Sequence, residues 1–170
     1  MYLKRKEESI MSKVIMMCGV CGSGKTTYAK QKEKEGYVRL SIDEEMWKIY
    51  GKKGIDYPDD RYEELSEKVE DMLRERLLHL IKDGKDVVID FSFWNREKRG
   101  FYRSVIEEAG GTIELVYMKA SKETLQKRLK KRNQHLNANA PFIITDEILE
   151  HHYNGFEEPH REGEIILMQD

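Results

Sequence analysis

Short runs of consecutive apolar residues alternate along this chain with longer segments whose apolar positions recur every three or four residues. Residues 14–18 (Val-Ile-Met-Met-Cys) form an unbroken apolar run closed by Gly19, the pattern of a strand buried on both faces. Residues 37–40, 87–91, 113–118 and 164–168 repeat it, which predicts five strands. After Pro58, the positions Tyr62, Leu65, Val69, Met72, Leu73, Leu77, Leu80 and Ile81 fall at helical spacing. Lys82, Asp83 and Gly84 then supply a helix stop. Residues 26–34 read as a further helix, and Ser121 can cap one that buries Leu125 and Leu129. The polar stretch that follows, with Asn133, Asn137, Asn139 and Pro141, reads as a long loop. A loop of that length in a compact domain is usually functional or mobile. The alternation of strand and helix predicts an α/β fold. No repeat or linker divides it, so one domain is expected over residues 13–170 behind a flexible, charged extension at 1–12.

Composition narrows the possibilities. In 170 residues, 30 Lys plus Arg face 32 Asp plus Glu, a formal charge of -2, so no basic footprint for nucleic acid is present chain-wide. Apolar residues at 39% and charged residues at 36% fit a globular domain rather than a disordered chain. Two cysteines cannot build a disulfide scaffold. The first residues are charged rather than signal-like, and no run reaches the roughly 18–20 apolar residues of a membrane span. A cytoplasmic location without membrane partners is the expectation.

The candidate chemistry begins at residues 19–26, Gly-Val-Cys-Gly-Ser-Gly-Lys-Thr, which satisfy the P-loop pattern between a buried strand and a helix. Gly19, Cys21, Gly22, Ser23, Gly24 and Thr27 would offer the backbone of an anion nest at a helix N-terminus. Lys25 can reach β- and γ-phosphates, and the Thr26 hydroxyl can ligate Mg²⁺. The bland alternative is a Gly-rich turn. Cys18 and Cys21 form a C-x-x-C, open to a redox reading or to simple strand and loop positions.

Asp43 follows the second strand, where a carboxylate can accept a proton from an attacking hydroxyl or organise a metal. It could equally be a helix cap. Asp90 closes the apolar run Val87-Val88-Ile89 in the manner of a Walker B strand and could orient Mg²⁺, unless it is an ordinary turn residue. Arg128 and Arg132 stand four apart on one helix face and could neutralise a transferring phosphoryl group. Their neighbours Lys127, Lys130 and Lys131 read better as a solvated face. Phe91, Phe93 and Trp94, with Trp47, Tyr50, Tyr57 and Tyr62, either line a pocket for a ring-bearing acceptor or cover a core edge.

Taken together, the P-loop, Ser41-Ile42-Asp43, the run ending at Asp90 with Ser92, the spaced Arg96 and Arg99, the Arg128/Arg132 pair and the terminal Phe156-Glu157-Glu158-Pro159 resemble the small AAA-domain P-loop kinases. These are similar to polynucleotide 5′-kinase, chloramphenicol phosphotransferase and zeta-toxin kinase domains. The resemblance implies an adenylate-kinase-like three-layer core of the P-loop NTPase class, with a five-stranded parallel sheet and a lid over about residues 128–145. It implies ATP as donor, Mg²⁺ as cofactor and Asp43 as the acceptor-activating carboxylate. Arg128 matches the lid arginine, Arg132 matches it more weakly, and Arg99 falls where the family often places an arginine. The family's nucleic-acid kinases carry a basic residue three positions after the aspartate. Here that residue is Met46, followed by Trp47, which points away from a polynucleotide.

The resulting expectation is phosphoryl transfer from ATP to a hydroxyl of a small molecule. Lys25, Asp43, Arg128 and Arg132 are the catalytic set, Thr26 and Asp90 the metal ligands, and Asp43, Trp47, Ser92 and Arg99 the acceptor contacts. The lid, residues 133–145, is expected to be mobile until nucleotide binds. The rivals are an ATPase switch without an acceptor, a nucleic-acid 5′-end kinase, and the cysteine redox reading.

Overall fold

In the computed structural model, which describes residues 11–170, the chain alternates strand and helix. The elements are β1 (Lys13–Cys18), α1 (Lys25–Lys34), β2 (Val38–Leu40), α2 (Ile42–Tyr50), α3 (Tyr62–Lys82), β3 (Val87–Ile89), α4 (Arg96–Glu108), β4 (Thr112–Lys119), α5 (Lys122–Arg132), α6 (Asp146–Gly155) and β5 (Ile165–Met168). A short 3₁₀ turn, Asp59–Arg61, leads into α3. The strands form one parallel sheet in the order β2-β3-β1-β4-β5. Val14 of β1 sits opposite both Val87 of β3 and Ile113 of β4. The chain lays β2 and β3 on one side of β1 and then β4 and β5 on the other, so the crevice beyond the carboxyl end of β1 is where such a fold accepts a ligand.

The three central strands are apolar at nearly every position because helices cover both faces. On one face Val14, Met16, Leu40 and Ile89 meet Leu65, Val69, Leu73, Leu77 and Ile81 of α3 and Tyr102 and Ile106 of α4. On the other, Ile15, Met17, Val88 and Val116 meet Ala29 of α1. A separate apolar cluster of Val20, Leu125, Leu129, Ile144 and Leu149 joins the loop after β1 to α5, the lid and α6. This cluster fixes the lid's base to the P-loop. Among the described residues, no helix is long and apolar enough to cross a membrane.

Several boundaries differ from the sequence expectation. Helices α4 and α6 were not foreseen. In α4 only Arg99, Tyr102 and Ile106 are buried, a stripe diluted by charge, and in α6 only Leu149 is buried. Side-chain caps start both, with Asn95 accepting from Lys98 N (2.7 Å) and Thr145 from Ile148 N (3.2 Å). The core also begins earlier than residue 13. Ser12 is buried, and its carbonyl accepts from Thr112 N at 2.9 Å. The rest of the expected extension, residues 1–10, lies outside the described residues.

Candidate functional site

The loop between β1 and α1 is shaped by glycine. A Cβ on Gly19 would stand 2.5 Å from Ser23 Oγ and 2.8 Å from Met118 O, and Gly24 opens α1 from a left-handed conformation (φ 98°). The curl is held by Ser23 N donating to Val20 O (3.1 Å) and Gly19 N to Ser92 O (3.1 Å). Lys25 Nζ folds back to donate to Gly19 O (2.8 Å) and Val20 O (2.9 Å). Burial lowers the affinity of this ammonium for its proton, and the Asp90 carboxylate works against that. Ser23 Oγ is buried without a hydrogen-bond partner, an unsatisfied polar atom inside the curl. Such a nest of N–H groups and an ammonium at a helix N-terminus accepts an anion of phosphate type.

Thr26 Oγ1 donates to Asp90 Oδ2 at 3.0 Å, so two oxygens separated by 64 residues meet beside the nest. They converge because Asp90 lies one residue past β3, where its N–H donates to Leu40 O (2.8 Å). A hydroxyl and a carboxylate are hard donors that fit Mg²⁺, an ion that keeps much of its shell as water and phosphate oxygens.

Asp43 lies in the first turn of α2 and lines the same cavity. It is not the cap, because Ser41 Oγ takes that role, accepting from Glu44 N at 3.2 Å. Its carboxylate is therefore left for the cavity. Burial pushes its pKa up to about 6, with Arg132 opposing, Asp90 adding to the rise, and Lys25 and Arg39 lowering it. A carboxylate so placed is poised to accept a proton near neutral pH.

Arg128 and Arg132 project from α5 to the cavity, whereas Lys127, Lys130 and Lys131 are exposed. Arg128 makes only long contacts, to Gly22 O (3.5 Å) and to Gln169 Oε1 (3.4 Å). Arg132 Nη2 donates to Asn139 O (3.2 Å), while its Nε is buried without a partner. Both guanidiniums thus retain donors for an anionic ligand.

The lid is a loop, as expected, and it is fastened from within. Asn133 clasps Ile144 by two hydrogen bonds (2.8 and 3.0 Å), and Asn137 and Ala140 exchange backbone bonds at 3.0 Å. Phe142 packs edge-on against Tyr62 with centroids 5.6 Å apart. The asparagines that suggested a loop are its internal fasteners. Together these elements enclose a cavity of about 1240 Å³, lined also by Cys21, Gly22, Gly24, Thr27 and Ser92. That exceeds the span typical of a single small ligand. The cavity lining includes the apolar side chains of Tyr62, Phe91, Trp94, Phe142, Ile144 and Ile148.

Two expected acceptor contacts lie elsewhere. Trp47 does not line the cavity; its ring lies under Lys52 Nζ at 5.5 Å. Arg99 is 2% exposed, donating to Glu162 (2.9 and 3.1 Å) and to Phe93 O (2.7 Å), so it clamps the C-terminal segment to α4. The helical stripe of α4 turns it inward. Gly19 shapes the loop without lining the cavity. The aromatics divide as well. Phe93 stacks on Phe91 in the core and meets Tyr102 edge-on, and Tyr50 packs on Tyr57, whereas Phe91, Trp94 and Tyr62 reach the cavity. Met46 is a core residue.

Sequence reasoning missed Arg39, which donates to Asp90, and His152 of α6, which lines the cavity. Burial, with Lys25 and His151 nearby, pushes His152 down to about 4, so it is neutral at physiological pH. A lone arginine in a short apolar strand was the available signal for Arg39; His152 had none beyond its type. Both cysteines are free. Burial raises Cys18 to about 11 and raises Cys21 as well, opposite to the lowered pKa that a reactive redox thiol needs.

The AAA domain family matches residues 14–159 of this sequence. The chain belongs to that family. Three solved structures show the same fold at low identity. A sugar kinase from Janibacter sp. HTCC2649 is 21% identical over 92% of this chain and 85% of its own, with a TM-score of 0.59. A gluconokinase from Sinorhizobium meliloti 1021 is 23% identical over 94% and 83%, with a TM-score of 0.57. A chain of the Pnkp1/Rnl/Hen1 RNA repair complex is 21% identical over 89% of this chain, with a TM-score of 0.70, but this chain spans only 46% of it. None of the curated proteins matches in sequence. The parallel five-stranded sheet of this AAA-domain protein is thus the P-loop kinase fold its motifs implied.

Proposed function

We propose that this AAA-domain protein is an ATP-dependent phosphotransferase whose acceptor is a hydroxyl of a small, ring-bearing molecule. The observation that carries the reading is Asp43, a carboxylate with its pKa raised to about 6, in the one cavity that it lines together with the phosphate nest and the aromatic rings of Tyr62, Phe91, Trp94 and Phe142. Thr26 and Asp90 would hold a magnesium ion, which when bound offsets charge on the β- and γ-phosphate oxygens. Lys25 leaves its two carbonyl partners for the phosphates, and Arg128 and Arg132 use their spare donors on the charge that spreads over the transferring group. The acceptor oxygen attacks the γ-phosphorus as its proton passes to Asp43, and the β–γ bridging oxygen departs with ADP. The lid excludes water, which suppresses hydrolysis.

A second reading, a nucleic-acid 5′-end kinase, is favoured by the likeness to the RNA repair chain. The charge of -2 and the buried Met46 where a basic residue would stand weigh for the small molecule. The test is MgATP turnover, read as ADP release, with sugars, nucleosides, aminoglycosides, phenicols or 5′-hydroxyl oligonucleotides. Release stimulated by a small hydroxyl compound and lost in Asp43→Asn supports the proposal. Stimulation by oligonucleotides alone supports the second reading, and release indifferent to every acceptor and to the mutation supports an ATPase switch.

A further inference from the structure

The side chain of Arg39, in strand β2, is 3% exposed and engages four separate parts of the molecule. Nη1 donates to Asp90 Oδ2 at 3.0 Å and to Asn139 Oδ1 at 3.1 Å. Nη2 donates to Asn139 Oδ1 at 3.1 Å and to Glu44 of α2, while Nε faces Glu33 of α1 at 3.6 Å. A strut fastening β2 to its flanking helices needs only the two glutamates. The other two partners belong to the site: Asp90 is the carboxylate beside Thr26, and Asn139 is in the lid.

We propose that Arg39 is a positioning residue that orients the metal-binding carboxylate and latches the lid to it. Asp90 Oδ2 takes hydrogen bonds from both Thr26 and Arg39. That double engagement fixes the carboxylate rotamer and leaves Oδ1, which accepts no hydrogen bond among the described residues, for the metal's shell. Asn139 is gripped at both ends, its side-chain oxygen by Arg39 and its main-chain oxygen by Arg132. Arg132 is also the residue offered to the phosphates. Closing the lid and aligning Asp90 therefore draw on one guanidinium. A lysine in its place would keep the charge but lose the planar fork that reaches both partners.

This inference rests on the reading of the nest and the Thr26–Asp90 pair as a MgATP site, and its test needs no acceptor. Binding of a non-hydrolysable ATP analogue to the full chain is measured with and without magnesium for wild type, Arg39→Lys, Arg39→Met and Asn139→Ala. Chymotrypsin cleavage within residues 133–145 is followed with and without the analogue. Arg99→Lys, altering an equally buried, ion-paired arginine away from the cavity, serves as the structural control. Arg39→Lys and Arg39→Met are expected to cut the magnesium-dependent tightening by about tenfold, as loss of an outer-shell partner does. They should also abolish the analogue's protection of the lid. Asn139→Ala is expected to lose the protection while keeping the magnesium effect within about twofold, because Asp90 keeps its arginine. Arg99→Lys is expected to lower Tm alone.

If the Arg39 variants lose only Tm, as Arg99→Lys does, Arg39 is a strut and the proposal is overturned. Unchanged lid protection in Asn139→Ala overturns the latch. A wild type whose analogue binding ignores magnesium overturns the metal-site reading itself, an outcome distinct from any failure of the variants. Should Arg39→Met not fold, Arg39→Lys and Asn139→Ala decide.

Discussion

In the proposed reaction, Asp43 concentrates the chemistry of the site into one carboxyl group. With its pKa raised to about 6 by burial, turnover should rise with pH through that value and level off above it, and a kcat–pH profile checks this. Asp43→Asn should lower kcat by about 10²-fold or more, the usual worth of a general base. The same shift carries a stability cost. A carboxyl whose folded pKa lies above its ordinary 3.8 binds its proton better folded than unfolded. Its contribution to stability is thus present at low pH and lost as pH rises from about 4 to 6. Asp43→Asn should therefore be more stable than wild type near neutral pH, by about 1–2 kcal/mol in denaturant melts. Cys21→Ser should be tolerated in the same turnover assay, whereas Lys25→Ala should lose about 10²-fold or more in kcat. At this level the sequence was legible wherever a residue sat in a spaced motif: Lys25, Thr26, Asp90 and Arg128 all reach the cavity. Arg39 was not, because its role comes from partners 51 and 100 residues away.

Among the elements, α3 could be read almost to the residue, since its five buried positions recur at four-residue steps. Helix α4 could not, because one member of its buried stripe is Arg99, a residue type that hydrophobic periodicity counts as polar. That arginine is paired with Glu162, which is itself 10% exposed. Removing one partner strands a buried charge, so Arg99→Met should cost about 3–5 kcal/mol, seen as a lowered denaturation midpoint. Replacing Glu162 together with Arg99 should cost less than the sum, which a double-mutant cycle would measure. The lid was legible as a loop because its asparagines are loop formers by type. Its fastening was not, since Asn133 and Asn137 satisfy backbone groups within the segment.

The whole molecule joins a conventional sheet to a specialised rim. The strand pattern revealed the class of fold because strands buried on both faces must be apolar throughout. The cavity's aromatic lining was only half legible, since Phe93 and Tyr62 look alike in a sequence although one fills the core and the other faces the cavity. A chain with a charge of -2 should bind its acceptor with little dependence on salt, in contrast to the steep dependence of a phosphate-backbone ligand. Titration of acceptor KM against ionic strength checks that. The central claim, that phosphate moves to an organic hydroxyl rather than to water, is tested most directly by following the label from γ-labelled ATP in a pool of hydroxyl compounds. The account predicts label on an organic acceptor, lost in Lys25→Ala and Asp43→Asn. Label recovered only as inorganic phosphate, at a rate unchanged by Asp43→Asn, would contradict it.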